Sequence, residues 1–357
     1  MLRIAAVILV LFAARASADD SAKFVGSAGC KSSSCHGGAG EKRSQFITWS
    51  QKDFHTRAYT ILLDARSARI GEALGIAQVQ SNSRCTVCHS PLQSVGTDRL
   101  AAAARPDEGV SCENCHGAAG PWLRGHTRRD WTYATRVSAG MRDLRNLYLR
   151  ANACVACHQN VAADVLHAGH PELVFELDSQ STNEPKHWRE DDPAIAPRNW
   201  LIGQAVALRE IIWAANSASG QDRDRLGAQA SALSWLLDKA GMGENVASLS
   251  SFPEIQMQAD AIARRAVDWN PTKETLMSIL QKLAASDSEF QTVQEGREAV
   301  FYQALRLTLA LDRIAAALNL SSKMDKELNA LRSDVQRHYD FDVALFAQHL
   351  RAFSAKL

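Results

Sequence analysis

Residues 154–188 read CVACHQNVAADVLHAGHPELVFELDSQSTNEPKHW and open with the pattern Cys154-x-x-Cys157-His158. This pattern is typical of covalent attachment of a c-type haem. The two thiols bind the vinyl groups on one edge of the porphyrin, and the histidine that follows them ligates the iron. The same stretch contains three further histidines, and each of them is a candidate for the second axial ligand of a six-coordinate iron.

All eight cysteines of the chain fall into motifs of this kind. Two more motifs share the spacing of the first, and the motif nearest the N-terminus has four residues between its cysteines instead of two. The cysteines predicted to attach haem are Cys30, Cys35, Cys85, Cys88, Cys112, Cys115, Cys154 and Cys157. The histidines predicted to be proximal ligands are His36, His89, His116 and His158. The sequence therefore predicts four covalently attached c-type haems and leaves no cysteine for a disulfide.

Two other uses of paired cysteines fit this sequence less well. A structural zinc site combines two short motifs into a tetrahedron, and it does not need a histidine directly after each second cysteine. A thioredoxin-like redox pair needs an alternating pattern of strands and helices, and we find no such pattern here. Covalent haem attachment remains the interpretation that uses every cysteine and the histidine behind each pair.

Seven of the eleven histidines do not follow a cysteine pair. Two of them, His338 and His349, lie far from the cysteines in sequence, and we interpret them as ordinary residues of a helical region. The other five lie among the haem motifs, where histidine is much more frequent than in the rest of the chain, and they compete for four distal positions. These five candidates are His55, His126, His167, His170 and His187.

The N-terminus predicts export. Arg3, an apolar run and the triplet Ala16-Ser17-Ala18 have the order of a secretory signal peptide over residues 1–18. The apolar run is short for a membrane span, so we expect cleavage rather than an uncleaved anchor, and a periplasmic protein without a transmembrane anchor. The formal net charge is +1 before cleavage, and haem propionates would make the mature protein acidic. We therefore expect redox proteins with a basic docking patch as partners, and no nucleic acid.

The chain changes in character after residue 193. Residues 19–193 are rich in Gly, Ser and Ala and are too few per haem to build an ordinary core. We therefore predict a loop-rich tetrahaem module, in which the porphyrins supply much of the buried apolar bulk. Within this module we predict one helix over residues 56–75 and another over residues 141–150.

Residues 194–357 predict a helical bundle. Between residues 300 and 318, apolar side chains recur at alternating steps of four and three, which gives that helix one buried face. Ser251 and Pro253 suit the start of another helix, and Gly241 suits the end of the one before it. We predict five or six helices in an antiparallel bundle, with the last one beginning near residue 322. The predicted fold class is mainly α.

Several further segments of the N-terminal half form a recognisable set. They read VGSA at 25–28, WSQKDFH at 49–55, GVSCENCHG at 109–117, WLRGH at 122–126, AGHPEL at 168–173, FEL at 175–177 and PKHW at 185–188. As a set they resemble the cytochrome c-552/c-554 family of periplasmic multihaem cytochromes, which is related to the haem modules of hydroxylamine oxidoreductase and of pentahaem nitrite reductase. The resemblance covers residues 24–188, about half of the chain, and does not extend into the helical region.

The resemblance also implies a choice among the five distal candidates. It implies distal ligands at His55, His126, His170 and His187, and it gives His167 no such role. It further implies that the haems lie close together in parallel and near-perpendicular pairs. The chain departs from the family pattern at its first motif, whose four intervening residues put the seating of that haem in question.

These patterns predict a periplasmic tetrahaem cytochrome that relays electrons between redox partners. Two histidines on every iron would leave no coordination site for a substrate, which favours an electron carrier over an enzyme. The alternative is a multihaem oxidoreductase in which one five-coordinate haem acts on nitric oxide, nitrite or hydroxylamine. A third hypothesis, compatible with the first, is a subunit of a larger electron-transfer complex that docks through the helical region.

Overall fold

The regular structure of the chain is helical. The computed structural model describes residues 22–290, 296–336 and 338–357, so the predicted signal peptide at 1–18 lies outside the described residues. In the described ranges the chain forms sixteen α-helices and no β-strand, and Phe24 and Leu100 form an isolated parallel bridge. The prediction of a mainly α fold is confirmed. Among the described residues, no helix is both long enough and apolar enough to cross a membrane.

The cysteine motifs lie in a region of nine mostly short helices. They are α1 (Gln45–Lys52), α2 (Ala58–Ile61), α3 (Ala65–Ala73), α4 (Ser83–His89), α5 (Cys112–His116), α6 (Tyr133–Ser138), α7 (Leu147–His158), α8 (Ala163–His167) and α9 (Leu177–Asn183). Of the described residues before position 140, only five hydrophobic side chains are buried, namely Leu62, Val79, Leu92, Ala119 and Trp122. The chain by itself therefore forms little core in this region.

Two helices predicted here have different bounds in the structure. The helix predicted over residues 56–75 is broken into α2 and α3, because the Asp64 carboxylate accepts a hydrogen bond from Ser67 N at 2.7 Å and caps a new helix start. The helix predicted over 141–150 begins later, since Asn146 caps α7 by accepting a hydrogen bond from Leu149 N at 3.2 Å. In both cases a polar side chain bonded to the backbone sets the boundary.

The second half of the chain forms seven longer helices. They are α10 (Ile195–Ser217), α11 (Gly220–Lys239), α12 (Phe252–Arg265), α13 (Lys273–Ala284), α14 (Arg297–Ala317), α15 (Ser321–Asp334) and α16 (Val343–Lys356). The predicted number of five or six was too low, because the final segment is divided into α15 and α16. The predicted start at Ser251 is confirmed, as its hydroxyl accepts from Glu254 N at 3.3 Å. Gly241 follows the end of α11 with φ at +76°, which favours glycine.

The main hydrophobic core surrounds α10. This helix packs against α11, α12 and α14, and its Trp200, Ile202 and Leu208 are almost completely buried. The same core includes Val155 of α7 and Phe175 just before α9. Each such side chain contributes roughly 1.5–3 kcal/mol when it is fully buried. The fourth cysteine motif and the segment that follows it are therefore fixed to the helical bundle. The domain boundary at 193/194 stays a prediction.

Candidate haem cleft

Three of the four cysteine motifs lie on helices. In an α-helix, positions i, i+3 and i+4 share one face, so both thiols and the histidine of a C-x-x-C-H motif point in similar directions. Helix α5 begins at the first cysteine of its motif, α4 and α7 begin before theirs, and each start is capped by a polar side chain. Asn82 caps α4, Ser111 and Asn114 form a reciprocal capping box on α5, and Asn146 caps α7. Local hydrogen bonds thus fix the orientation of each motif.

The first motif has a different local structure. Its two additional residues lie in a loop, in which His36 N donates to Cys30 O at 3.2 Å and Gly37 N donates to Ser32 O at 2.9 Å. These bonds fold the longer spacer back on itself, so that His36 still lines the same cleft as both cysteines of the motif. The longer spacing is therefore compatible with a common binding face for the two thiols and the histidine.

Each motif histidine lies opposite a different histidine that follows no cysteine. The ring centroids are separated by 6.0 Å for His36 and His126, 6.0 Å for His55 and His158, 6.4 Å for His89 and His170, and 6.4 Å for His116 and His187. A metal bound by two imidazoles at about 2 Å lies roughly 3 Å from each centroid, so the centroids are about 6 Å apart. The four pairs have the spacing of four two-histidine metal sites.

His167 is not part of any of these pairs. Its Nε2 lies 3.3 Å from Asp222 Oδ1 on α11, and its side chain is 67% exposed. His170, three residues later, is positioned by a hydrogen bond from its own N–H to Val165 O at 3.1 Å. The structure thus brings together His55, His126, His170 and His187 with the four motif histidines, and it leaves His167 outside.

The second ring nitrogen of most paired histidines has a hydrogen-bond partner. Nδ1 of His89, His126, His170 and His187 lies 2.9, 2.6, 2.8 and 3.5 Å from a backbone carbonyl oxygen. Nδ1 of His36 lies 3.1 Å from the Gln45 side-chain oxygen. Such contacts fix the ring orientation and keep Nε2 for a metal.

Burial keeps several motif imidazoles neutral. It lowers the pKa of His116 to about 4 and lowers the pKa of His89 and of His158, because a charged ring loses its hydration in the cleft wall. A neutral imidazole is the form that binds a metal. His55 is the exception, since the carboxylates of Asp53 and Glu184 raise its pKa to about 10.

All sixteen predicted site residues line one cleft of about 2780 Å³. A pocket for one drug-sized ligand measures roughly 300–1,000 Å³, so this cleft has room for several large groups. Its walls contain large apolar side chains that are exposed in the chain alone, namely Phe54, Ile61, Val87 and Leu149. Exposed apolar surface of this kind favours a hydrophobic occupant. The size and lining of the cleft fit four haems.

Two buried donors in the cleft wall also fit such an occupant. Trp122 Nε1 and Arg136 Nε are shielded from solvent, and the described residues give neither atom a hydrogen-bond partner. Buried N–H groups normally have an acceptor, because leaving one unpaired costs about 1–3 kcal/mol. The carboxylates of haem propionates would be suitable acceptors for both donors.

None of the eight cysteines forms a disulfide, and two pairs of them are neighbours across motifs. Cys112 lowers the pKa of Cys30, and Cys157 lowers the pKa of Cys88 to about 7, because the two thiols of each pair are neighbours. Each of these contacts joins two different motifs. Groups attached at the first and third motifs would therefore be neighbours, and so would groups attached at the second and fourth.

Sequence reasoning missed four residues of the cleft. Asp53 and Glu184 contact the His55 ring, while Trp122 and Arg136 carry two of the buried donors that have no partner among the described residues. Asp53 could have been found, since its two-residue spacing to His55 suits a side chain that bonds back to the following backbone. Glu184 could not, because it reaches His55 from a segment far away in sequence.

Comparison with known proteins gives one match. Residues 21–117 match the family model described as cytochrome c554 and c-prime. This segment contains the first three cysteine motifs and His55. No curated protein matches the chain, and no solved structure matches it.

Proposed function

Because residues 21–117 match the family model described as cytochrome c554 and c-prime, we propose that the protein is a periplasmic tetrahaem cytochrome that relays electrons through haems with two histidine ligands each. A role of c-type cytochromes in electron transfer follows from the family itself. The proposal goes further in the number of haems, in their ligands and in the location of the protein.

The pairing of the histidines carries the proposal. Four motif histidines each lie opposite a different non-motif histidine, at centroid separations of 6.0–6.4 Å. An enzyme with an open iron needs one motif histidine that faces a vacant side instead. Because each of the four motif histidines has a ring partner, electron transfer is favoured over bond-making chemistry at an iron.

The residues of the chain have separate tasks in this proposal. The residues that would hold four haems by thioether bonds are Cys30, Cys35, Cys85, Cys88, Cys112, Cys115, Cys154 and Cys157. Each bound haem supplies one-electron chemistry at its iron. The paired imidazoles would both ligate the iron of a bound haem, and the hydrogen bonds at their Nδ1 atoms hold the rings in place. The apolar wall of the cleft keeps water away.

Partners and location follow from the same proposal. Residues 1–18 direct export and are removed, and the mature chain exchanges electrons with other redox proteins in the periplasm. Residues 19–193 form the tetrahaem module, and residues 194–357 form a helical domain that supports it. A docking role for the helical domain in a larger electron-transfer complex is compatible with this division.

Haem content and spin state test the proposal. We expect the mass of the purified protein to exceed that of the signal-free chain by four haems. We expect optical and EPR spectra of the ferric protein to show low-spin iron only, because two imidazoles give a strong ligand field. Added cyanide or nitric oxide should leave these spectra unchanged.

A high-spin component in the untreated ferric protein would contradict the proposal. If that component also bound nitric oxide, the alternative of an oxidoreductase with one five-coordinate haem would take its place. A mass increase of fewer than four haems would contradict the assignment of the cysteines. The first motif is the natural place to look for a missing haem, because its spacing differs from that of the other three.

A further inference from the structure

His55 differs from the other paired histidines in what its ring contacts. Its Nδ1 lies 3.0 Å from Asp53 Oδ1 and 3.4 Å from Glu184 Oε2. Among the described residues, these three side chains are also the one group of three histidine, cysteine or acidic residues whose ligand atoms all come within 4.8 Å of each other. The ring therefore has two carboxylates beside its Nδ1.

The other paired rings lack such strong acceptors. Backbone carbonyl oxygens contact His89, His126, His170 and His187, and the Gln45 side-chain oxygen contacts His36. Nδ1 of His158 lies 3.5 Å from Gln180 Nε2, an amide nitrogen that donates rather than accepts. Among the described residues, His55 is the one paired histidine whose ring contacts carboxylates. A carboxylate draws the Nδ1 proton more strongly than an amide or carbonyl does, and so it makes the opposite nitrogen a stronger electron donor.

The two carboxylates are held firmly in position. Asp53 is 4% exposed, and its Oδ1 also accepts from His55 N at 2.8 Å, so the carboxylate caps the turn that carries His55. Glu184 directly follows the last residue of α9. The His55 backbone is fixed as well, since Val110 N donates to His55 O at 3.0 Å. Gly109 allows this approach, because a Cβ there would lie 2.6 Å from His55 O.

From these contacts we infer that Asp53 and Glu184 are positioning residues that give the haem bound by His55 and His158 the lowest reduction potential of the four. The inference rests on the proposed two-histidine ligation. Oxidation adds one positive charge at the iron, and nearby negative charge stabilises that oxidised form in a poorly solvated site. Greater donation from His55 acts in the same direction. This haem is then the last of the four to be reduced.

The test uses the complete haem-loaded protein and the variant Asp53→Asn. Asparagine keeps an oxygen that can accept the His55 Nδ1–H bond, and it removes the charge. In a redox titration followed by EPR, the lowest of the four reduction potentials should rise by at least about 59 mV. This shift is a tenfold change in the equilibrium constant of a one-electron reduction. Glu184→Gln should raise the same potential. The other three potentials should change by less.

Two further variants make the result specific. Asp107→Asn removes an exposed carboxylate that pairs with Arg105 and should leave all four potentials unchanged. His55→Ala should convert one low-spin signal to high-spin, and that signal must be the one whose potential moves in Asp53→Asn. This identifies the affected haem independently of its potential.

Three outcomes would overturn the inference. The potential could stay unchanged in Asp53→Asn, or the signal lost in His55→Ala could belong to a haem that is not the lowest of the four. Asp53→Asn could also turn that haem high-spin, which would mean that the carboxylate only holds the ligand in place. Failure of the proposed function is recognisable separately, by missing haems or high-spin iron in the unmodified protein.

Discussion

Two histidines only three positions apart have different environments in this cleft. The His170 ring lies 6.4 Å from the His89 ring, whereas the His167 ring lies beside Asp222 and is largely exposed. We expect His170→Ala to turn one haem high-spin, because the iron opposite His89 loses its second strong-field ligand. The matched variant His167→Ala should leave the EPR spectrum of the ferric protein unchanged. The reverse result would show that His167 is the ligand.

The sequence predicts the members of the histidine pairs better than the pairing itself. A cysteine directly precedes each of the four motif histidines, so they can be recognised from the local sequence. They are His36, His89, His116 and His158. The resemblance to known cytochromes singles out the four partners. Which partner faces which motif depends on how distant segments meet, as where His55 of the N-terminal region faces His158 of α7. Spacing along the chain contains no such information.

At the level of whole elements, the helical bundle holds the segment that follows His170. The Glu172 carboxylate accepts hydrogen bonds from Gln229 Nε2 at 2.7 Å and from the Tyr302 hydroxyl at 2.8 Å, and it also pairs with Arg225. Phe175 lies three residues after Glu172, and its carbonyl oxygen accepts a hydrogen bond from the buried Arg306 at 2.8 Å. Helices α11 and α14 therefore fix the backbone that carries this distal histidine.

Replacing Glu172 with alanine should affect both stability and the iron site. Hydrogen bonds to a charged group contribute about 1.5–3 kcal/mol, so we expect the free energy of unfolding to fall by roughly this amount. Because the segment then loses its attachment to the bundle, the haem bound by His89 and His170 should become partly high-spin. Thermal unfolding and EPR of the same sample measure the two effects.

A control separates this effect from a general loss of charge. Glu254 lies at an exposed position in the first turn of α12, and Glu254→Ala should lower the free energy of unfolding by no more than about 1 kcal/mol. It should leave the spin state unchanged. If Glu172→Ala also left the spin state unchanged, the bundle would not be needed to place His170.

The helices of the bundle could be predicted because their sequences are periodic. The alternating steps of α14 place Ala304, Leu307 and Leu311 on one face, and all three are buried. Most of the short helices near the cysteines have fewer than three turns and line the cleft rather than a core, so a repeating pattern indicates them less clearly. Their boundaries depend on single caps such as Asp64 and Asn146.

In the whole molecule, most of the hydrophobic core lies in the helical bundle. We therefore predict that folding of the N-terminal region depends on haem more than folding of the bundle does. The buried cluster around α10 extends over residues 147–353, whereas the described residues before position 140 include only five buried hydrophobic side chains. A protein with all eight cysteines changed to serine should therefore lose its ordered cleft and keep much of its bundle. Limited proteolysis should remove the N-terminal region of this variant and spare a helical fragment.

The haem-loaded protein is the control for this experiment, and it should resist the same protease over its full mature length. Equal resistance of the haem-free variant would show that the N-terminal region folds without its cofactors. Only part of this division could be predicted. Composition indicates a module with little core before residue 193, but the sharing of α7 between cleft and bundle depends on tertiary packing.

The angles between the paired rings have a magnetic consequence. The rings of His36 and His126 are nearly parallel, at 16°, whereas the other three pairs are inclined at 68–88°. Parallel imidazoles act on the same iron d orbital and separate its energy from that of its partner orbital, while crossed imidazoles act on both orbitals and leave them nearly equal. The iron at the first motif would thus have moderate magnetic anisotropy, and the other three irons would be strongly anisotropic.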